Sequence, residues 1–355
     1  LTLSGANTYT GGTTVSAGTL TGTTTSLQGN IVNNAAVVFD QTTSGTYAGN
    51  LTGTGTLTKS NTGSVTLSGV NTYSGATTIA GGTLIAAGTG VGDSSAVTVN
   101  AGALFQLTGD ETVGSVAGAG DVDTGAFTLT AGGNGSSTSL TGILSGTAVT
   151  KTGAGNFTLG GTGTLTGGIA ANAGTVTIAG AYTSPATVAS AATLNVLATG
   201  ALTGDVTGAA GSFTVVNGLV TGNVGNAGRL SGSGTIVGAV TNSGTVAPGN
   251  SPGILTIDGV PGENDRGCTM AGRRTDVEQL TGQWSFGFSR FRMFLHKGSH
   301  TACVTVVPPG AEMPSVPNHC RNFDVGWDQF SQGVIDDATV TNGVLVAGGG
   351  YSHVH

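Results

Sequence analysis

Along residues 1–258 the chain repeatedly sets a threonine between two apolar residues. The pattern appears as Leu1-Thr2-Leu3, Val65-Thr66-Leu67, Val97-Thr98-Val99, Phe127-Thr128-Leu129 and Phe157-Thr158-Leu159, and again as Val176-Thr177-Ile178, Phe213-Thr214-Val215 and Leu255-Thr256-Ile257. Successive side chains of an extended strand point to opposite faces, so each triplet reads as a half-buried strand with its apolar pair inside and its threonine in water. On this reading Leu3, Val65, Leu67, Phe127, Leu129, Phe157, Leu159, Val176, Ile178, Phe213 and Val215 form a core. Gly-Gly, Asn-Gly, Ser-Gly and Ala-Gly pairs follow every few residues and mark tight turns. No segment carries a capped amphipathic pattern of helical length, which makes the chain all-β.

The strands also belong to longer copies. LSGANTYTGGTTVSAGTL at residues 3–20 returns as LSGVNTYSGATTIAGGTL at 67–84, identical at twelve of eighteen places, and a looser copy, LGGTGTLTGGIAANAGTV, begins at Leu159. Self-similarity of this kind favours a solenoid, in which equivalent strands of successive coils stack in parallel. At roughly 20 to 25 residues per coil the array would hold about eleven coils and extend about 50 Å at ~4.8 Å per strand.

Composition supports a buried core: 37% of the residues are hydrophobic, only 8% are charged, and 66 of 355 are glycine. The net charge of −7 leaves no broad basic surface for phosphates, so nucleic acid is not an expected partner. Vocabulary changes near residue 260. Before it, the only basic residues are Lys59, Lys151 and Arg229, and every Cys, Met, His and Trp lies after it. Three regions follow: 1–260 as solenoid repeats, 261–330 as an atypical segment expected not to continue them, through a reading-frame shift or an insert, and 331–355. Residue 1 is not Met and sits inside a repeat, so the chain is expected to be part of a longer one.

The stretches LTKSNTGSVTLSGVNTYSGATTIAGGTL and VTKTGAGNFTLGGTGTLTGGIAANAGTV resemble the autotransporter-associated β-strand repeat of bacterial type V secretion passenger domains. ETVGSVAGAGDVDTGAFTLTAGGNGSSTSLTGILSG and GTVAPGNSPGILTI resemble further parts of such arrays. The resemblance implies a right-handed parallel β-helix, exported through the periplasm and outer membrane to the cell surface or beyond. It also implies an outer-membrane translocator barrel as a partner, expected to lie outside this sequence. Residues 331–355 faintly resemble adhesin-type repeats.

Candidate chemistry is sparse. Asp110, Glu111, Asp121 and Asp123 are the residue types of a general acid and base, and Asp121-Val-Asp123 could open a calcium loop. No His, Arg or aromatic subsite accompanies them, and solvated turn carboxylates are the simpler reading. His296, His300, Cys303, His319 and Cys320 have the chemistry of a zinc site at a spacing that fits no common finger. Lys59 and Lys151 read as solvated turn residues, and Tyr9 and Tyr73 as packing caps rather than sugar platforms. The expectation is therefore no catalytic, cofactor or metal site, and a non-enzymatic adhesin or adhesin stalk meeting host or neighbouring-cell surface molecules through many weak contacts. A polysaccharide-cleaving β-helix enzyme and a purely structural spacer are the alternatives.

Overall fold

A computed structural model describes residues 1–249 and 253–258, with side chains at 1–249 and 255–258. Further along it describes only the backbone of short strands between Cys268 and Gly350. No α-helix occurs among the described residues.

The chain is a parallel β-solenoid. Its longest wall is a thirteen-stranded sheet running from Thr19–Gly22 to Thr245–Pro248, each strand paired in parallel with its equivalent one coil away. From Thr175 onward each coil visits three sheets in constant order. Thr175–Ile178, Ala181–Thr183 and Ala186–Val188 are followed, one coil on, by Thr193–Val196, Ala201–Thr203 and Val206–Gly208. Coils are shorter than the sequence suggests: the register steps 20 residues from Ala36 to Thr56 but only 16 from Phe213 to Arg229 and again to Thr245. The long wall accordingly has thirteen strands rather than about eleven and extends about 58 Å at ~4.8 Å per strand.

Short coils bring backbones close together, which explains the glycines of the repeat. A Cβ at Gly75 would collide with the carbonyl of Gly55 in the coil before. Gly118, at φ +125°, also takes a conformation that L side chains rarely adopt.

The interior is stacked as the threonine triplets require. Val65, Leu67, Leu129, Phe157, Leu159, Val176 and Ile178 are buried, and Leu3 and Phe127 pack half-buried against the core. Phe213 and Val215 correct the pattern. The register seats Val216 over Val196 and Thr214 over Leu194, so Thr214 and Val216 point inward while Phe213 stands 44% exposed and Val215 half-buried. Period two admits one alternating set inside, and stacking on the coil before selects the set that begins with Ser212.

The strand Gly253–Asp258 pairs in parallel with Thr235–Val237 and antiparallel with Cys268–Gly272. The side chains of residues 261–330 and 331–355, and with them the expectations of a frame shift, an insert or adhesin-type repeats, lie outside the described residues.

Candidate functional site

The four carboxylates do not converge. Glu111 faces inward and is buried, its Oε2 and Oε1 accepting the amide N–H groups of Gly90 (3.0 Å) and Val91 (3.2 Å). Burial pushes this carboxyl up to about 8, against the opposing effect of those two amides and with a smaller push from Asp93. The three aspartates stay at the surface and hold neighbouring backbone. Asp110 Oδ1 accepts from Thr128 N (2.8 Å), Asp121 Oδ1 from Ile143 N (2.8 Å), and Asp123 Oδ1 from Gly125 N (2.9 Å). Three of the four therefore bind main chain in an adjacent coil, and the reading of Glu111 as a solvated turn carboxylate is corrected.

Lys59 and Lys151 are the larger correction. Both are fully buried inside the solenoid rather than solvated. Lys59 Nζ donates to the carbonyls of Ser60 (2.7 Å), Asn61 (2.8 Å) and Gly81 (3.1 Å). Lys151 Nζ donates to those of Thr152 (2.5 Å), Gly153 (2.8 Å) and Ala173 (3.4 Å). Each ammonium thereby ties its own turn to the following coil and satisfies all three of its donors on main chain. Burial lowers both pKa values from the ordinary lysine value, with Asp40 opposing the shift at Lys59. Nothing in the composition distinguishes such a lysine from a surface one, but its place two residues after an inward Leu57 or Val149 does: period two puts it inside.

The repeated asparagine and tyrosine are structural in the same way. Asn7 and Asn71 each donate from Nδ2 to a carbonyl 19 residues on, Ser26 (2.8 Å) and Gly90 (2.7 Å). Tyr73 is buried, its hydroxyl 2.6 Å from Thr77 Oγ1, which continues to Ser95 Oγ (2.8 Å). Tyr9 repeats the contact with Thr13 at 3.2 Å. Tyr73 is part of the core, whereas Tyr9 is half-buried and its hydroxyl also accepts from Gln28 N (2.9 Å).

Part of the outer face carries a polar row. On the thirteen-stranded wall Thr58, Thr78 and Thr98 are register partners on the outer side, and Ser139, Thr158 and Thr177 resume the row, the last of them largely covered. Among the described residues no group of three or more potential metal ligands forms. The zinc candidates His296, His300, Cys303, His319 and Cys320 have side chains outside the described residues.

Comparison with known proteins gives one family. Residues 1–25, 57–86 and 149–178 each match the passenger-associated-transport-repeat. No curated protein and no solved structure matches the chain. The second and third matches open beside the buried Lys59 and Lys151, so the family pattern and the cross-coil carbonyl clamps coincide. The chain thus carries, on a parallel solenoid, three copies of the passenger-associated-transport-repeat, the repeat of autotransporter passenger domains.

Proposed function

We propose that this passenger acts, at the cell surface or after release, as an adhesin or adhesin stalk for host or neighbouring-cell surface molecules. The observation that carries the reading is the outer row of hydroxyls on the long wall, in which Thr58, Thr78 and Thr98 recur in successive coils at about 4.8 Å before Ala117 interrupts them. Individually weak contacts repeated along a stiff rod gain avidity through high effective concentration. An outer-membrane translocator barrel in the complete protein is the partner that the family implies. The enzymatic alternative is disfavoured because the acidic residues it would use are engaged by backbone amides in different coils.

Beads coated with the full chain test the proposal against cultured host-cell monolayers and against neighbouring bacteria. Adherence rising steeply with coating density, while the free chain binds weakly, is expected. Beads adhering no better than ones coated with an unrelated protein would leave the spacer reading in its place.

A further inference from the structure

The strand Phe213–Val216 breaks the inward rule in both directions. Phe213 is turned out, 44% exposed, while Thr214 is buried with its Oγ1 unpartnered, next to a Ser212 whose Oγ is likewise buried and unpartnered. Exposing an aromatic ring and burying unpaired hydroxyls both oppose folding, and local rules of this kind are broken most often where a surface serves something besides stability.

The register partner of Phe213 in the next coil is Arg229, also exposed. Lys59 and Lys151 are inside, so Arg229 is the only side-chain cation that the described residues among 1–258 turn outward, and every other charged side chain they expose is an aspartate. Ring and guanidinium stand on adjacent strands about 4.8 Å apart. They are bordered in the same row by Thr193 and Thr245, and in the next row by Asn195, Val215 and Ser231.

We propose that Phe213 and Arg229 form a binding site for a carboxylate-bearing sugar. The ring offers a flat apolar face to the C–H side of a pyranose, and the guanidinium makes paired, charge-assisted hydrogen bonds to the carboxylate. Hydroxyl and amide groups around them suit a polyhydroxylated ligand. A protein partner would want a broader apolar centre than one ring and one valine provide. Among the described residues of 1–258 no other side-chain cation faces outward, so a carboxylate finds its charged side-chain partner here. This assignment deepens the adhesive reading and rests on it.

The test uses the full chain over biosensor films of polygalacturonate, of the same polymer with its carboxyls methyl-esterified, of dextran and of polyglutamate, with chelator present to remove calcium bridging. Binding to polygalacturonate, weakened about tenfold or more by esterification, is expected, with a similar loss for Arg229→Gln and for Phe213→Ala and a smaller one for Arg229→Lys. Both residues are exposed, so unchanged melting temperatures should accompany these losses. Equal binding to the esterified polymer or dextran, no binding to any film, or unaltered binding by both variants would overturn the site. A preference for polyglutamate would replace the sugar by an acidic polypeptide and overturn the ligand class. Bead adherence that survives Phe213→Ala with Arg229→Gln would remove this site while leaving the adhesive role, whereas loss of adherence by the unmodified chain would remove the role itself.

Discussion

Lys59 and Lys151 make the same set of bonds in two different coils: each ammonium donates to the carbonyls 1, 2 and 22 residues further along the chain. The last of these lies in the following coil, so each lysine is a clamp across the stack. Replacing one by methionine keeps the buried stem and removes all three bonds to part-buried carbonyls. Lys59→Met and Lys151→Met should each destabilise the domain by roughly 2 to 5 kcal/mol, read as lowered denaturation midpoints, where a solvated turn lysine would change stability by about 0.5 kcal/mol or less. The sites share no partner, so the double variant should lose close to the sum.

Glu111 gives the solenoid a pH dependence of definite sign. Its folded pKa, about 8, lies above the unfolded 4.5, so between those values the folded state binds the extra proton and stability falls as pH rises. The loss should be on the order of a few kcal/mol from pH 5 to pH 8. Glu111→Gln keeps shape and polarity without the titration, and its contribution should be flat across that window. Equal slopes for the two proteins in denaturation measured at pH 5, 6.5 and 8 would contradict the assignment.

The facing of the triplets is tested by one pair of neighbours. Leu67 is fully buried and Thr66 half-buried beside it in the strand Ser64–Leu67. Leu67→Asp places an unpaired charge in the stack and should cost about 3 to 5 kcal/mol, whereas Thr66→Ser should change the melting temperature little. Matching melting temperatures would mean that period two had been assigned to the wrong face.

Much of the fold is legible in the residues themselves. Val65, Leu67, Phe157 and Leu159 recur because they are buried, and their alternation with threonine is enough to mark each strand and its inner face. What alternation alone cannot supply is register between coils. Phe213-Thr214-Val215 has the same local pattern as Phe157-Thr158-Leu159 yet faces the other way, because Val216 follows it and stacks on Val196. The lysines mislead for a related reason. Residue type suggests solvent, while position, one strand period after an inward Leu57, places the side chain inside, where turn carbonyls satisfy it. Glu111 likewise reads as one of a cluster of acids until the coil before it offers two amides.

Parallel stacking of one coil per strand is the claim on which the rest depends, and distances along the long wall measure it directly. With Cys268, Cys303 and Cys320 replaced by serine, spin labels at Thr58→Cys and Thr158→Cys stand five strands apart on the outer face, and at Thr58→Cys and Ser231→Cys nine. Label linkers cancel in the difference between the two pairs, which should be about 19 Å at ~4.8 Å per strand, each distance sharply distributed in pulsed dipolar spectroscopy. A second distance equal to or shorter than the first, as a folded-back antiparallel arrangement would give, contradicts the solenoid and with it the clamps, the outward row and the site at Phe213.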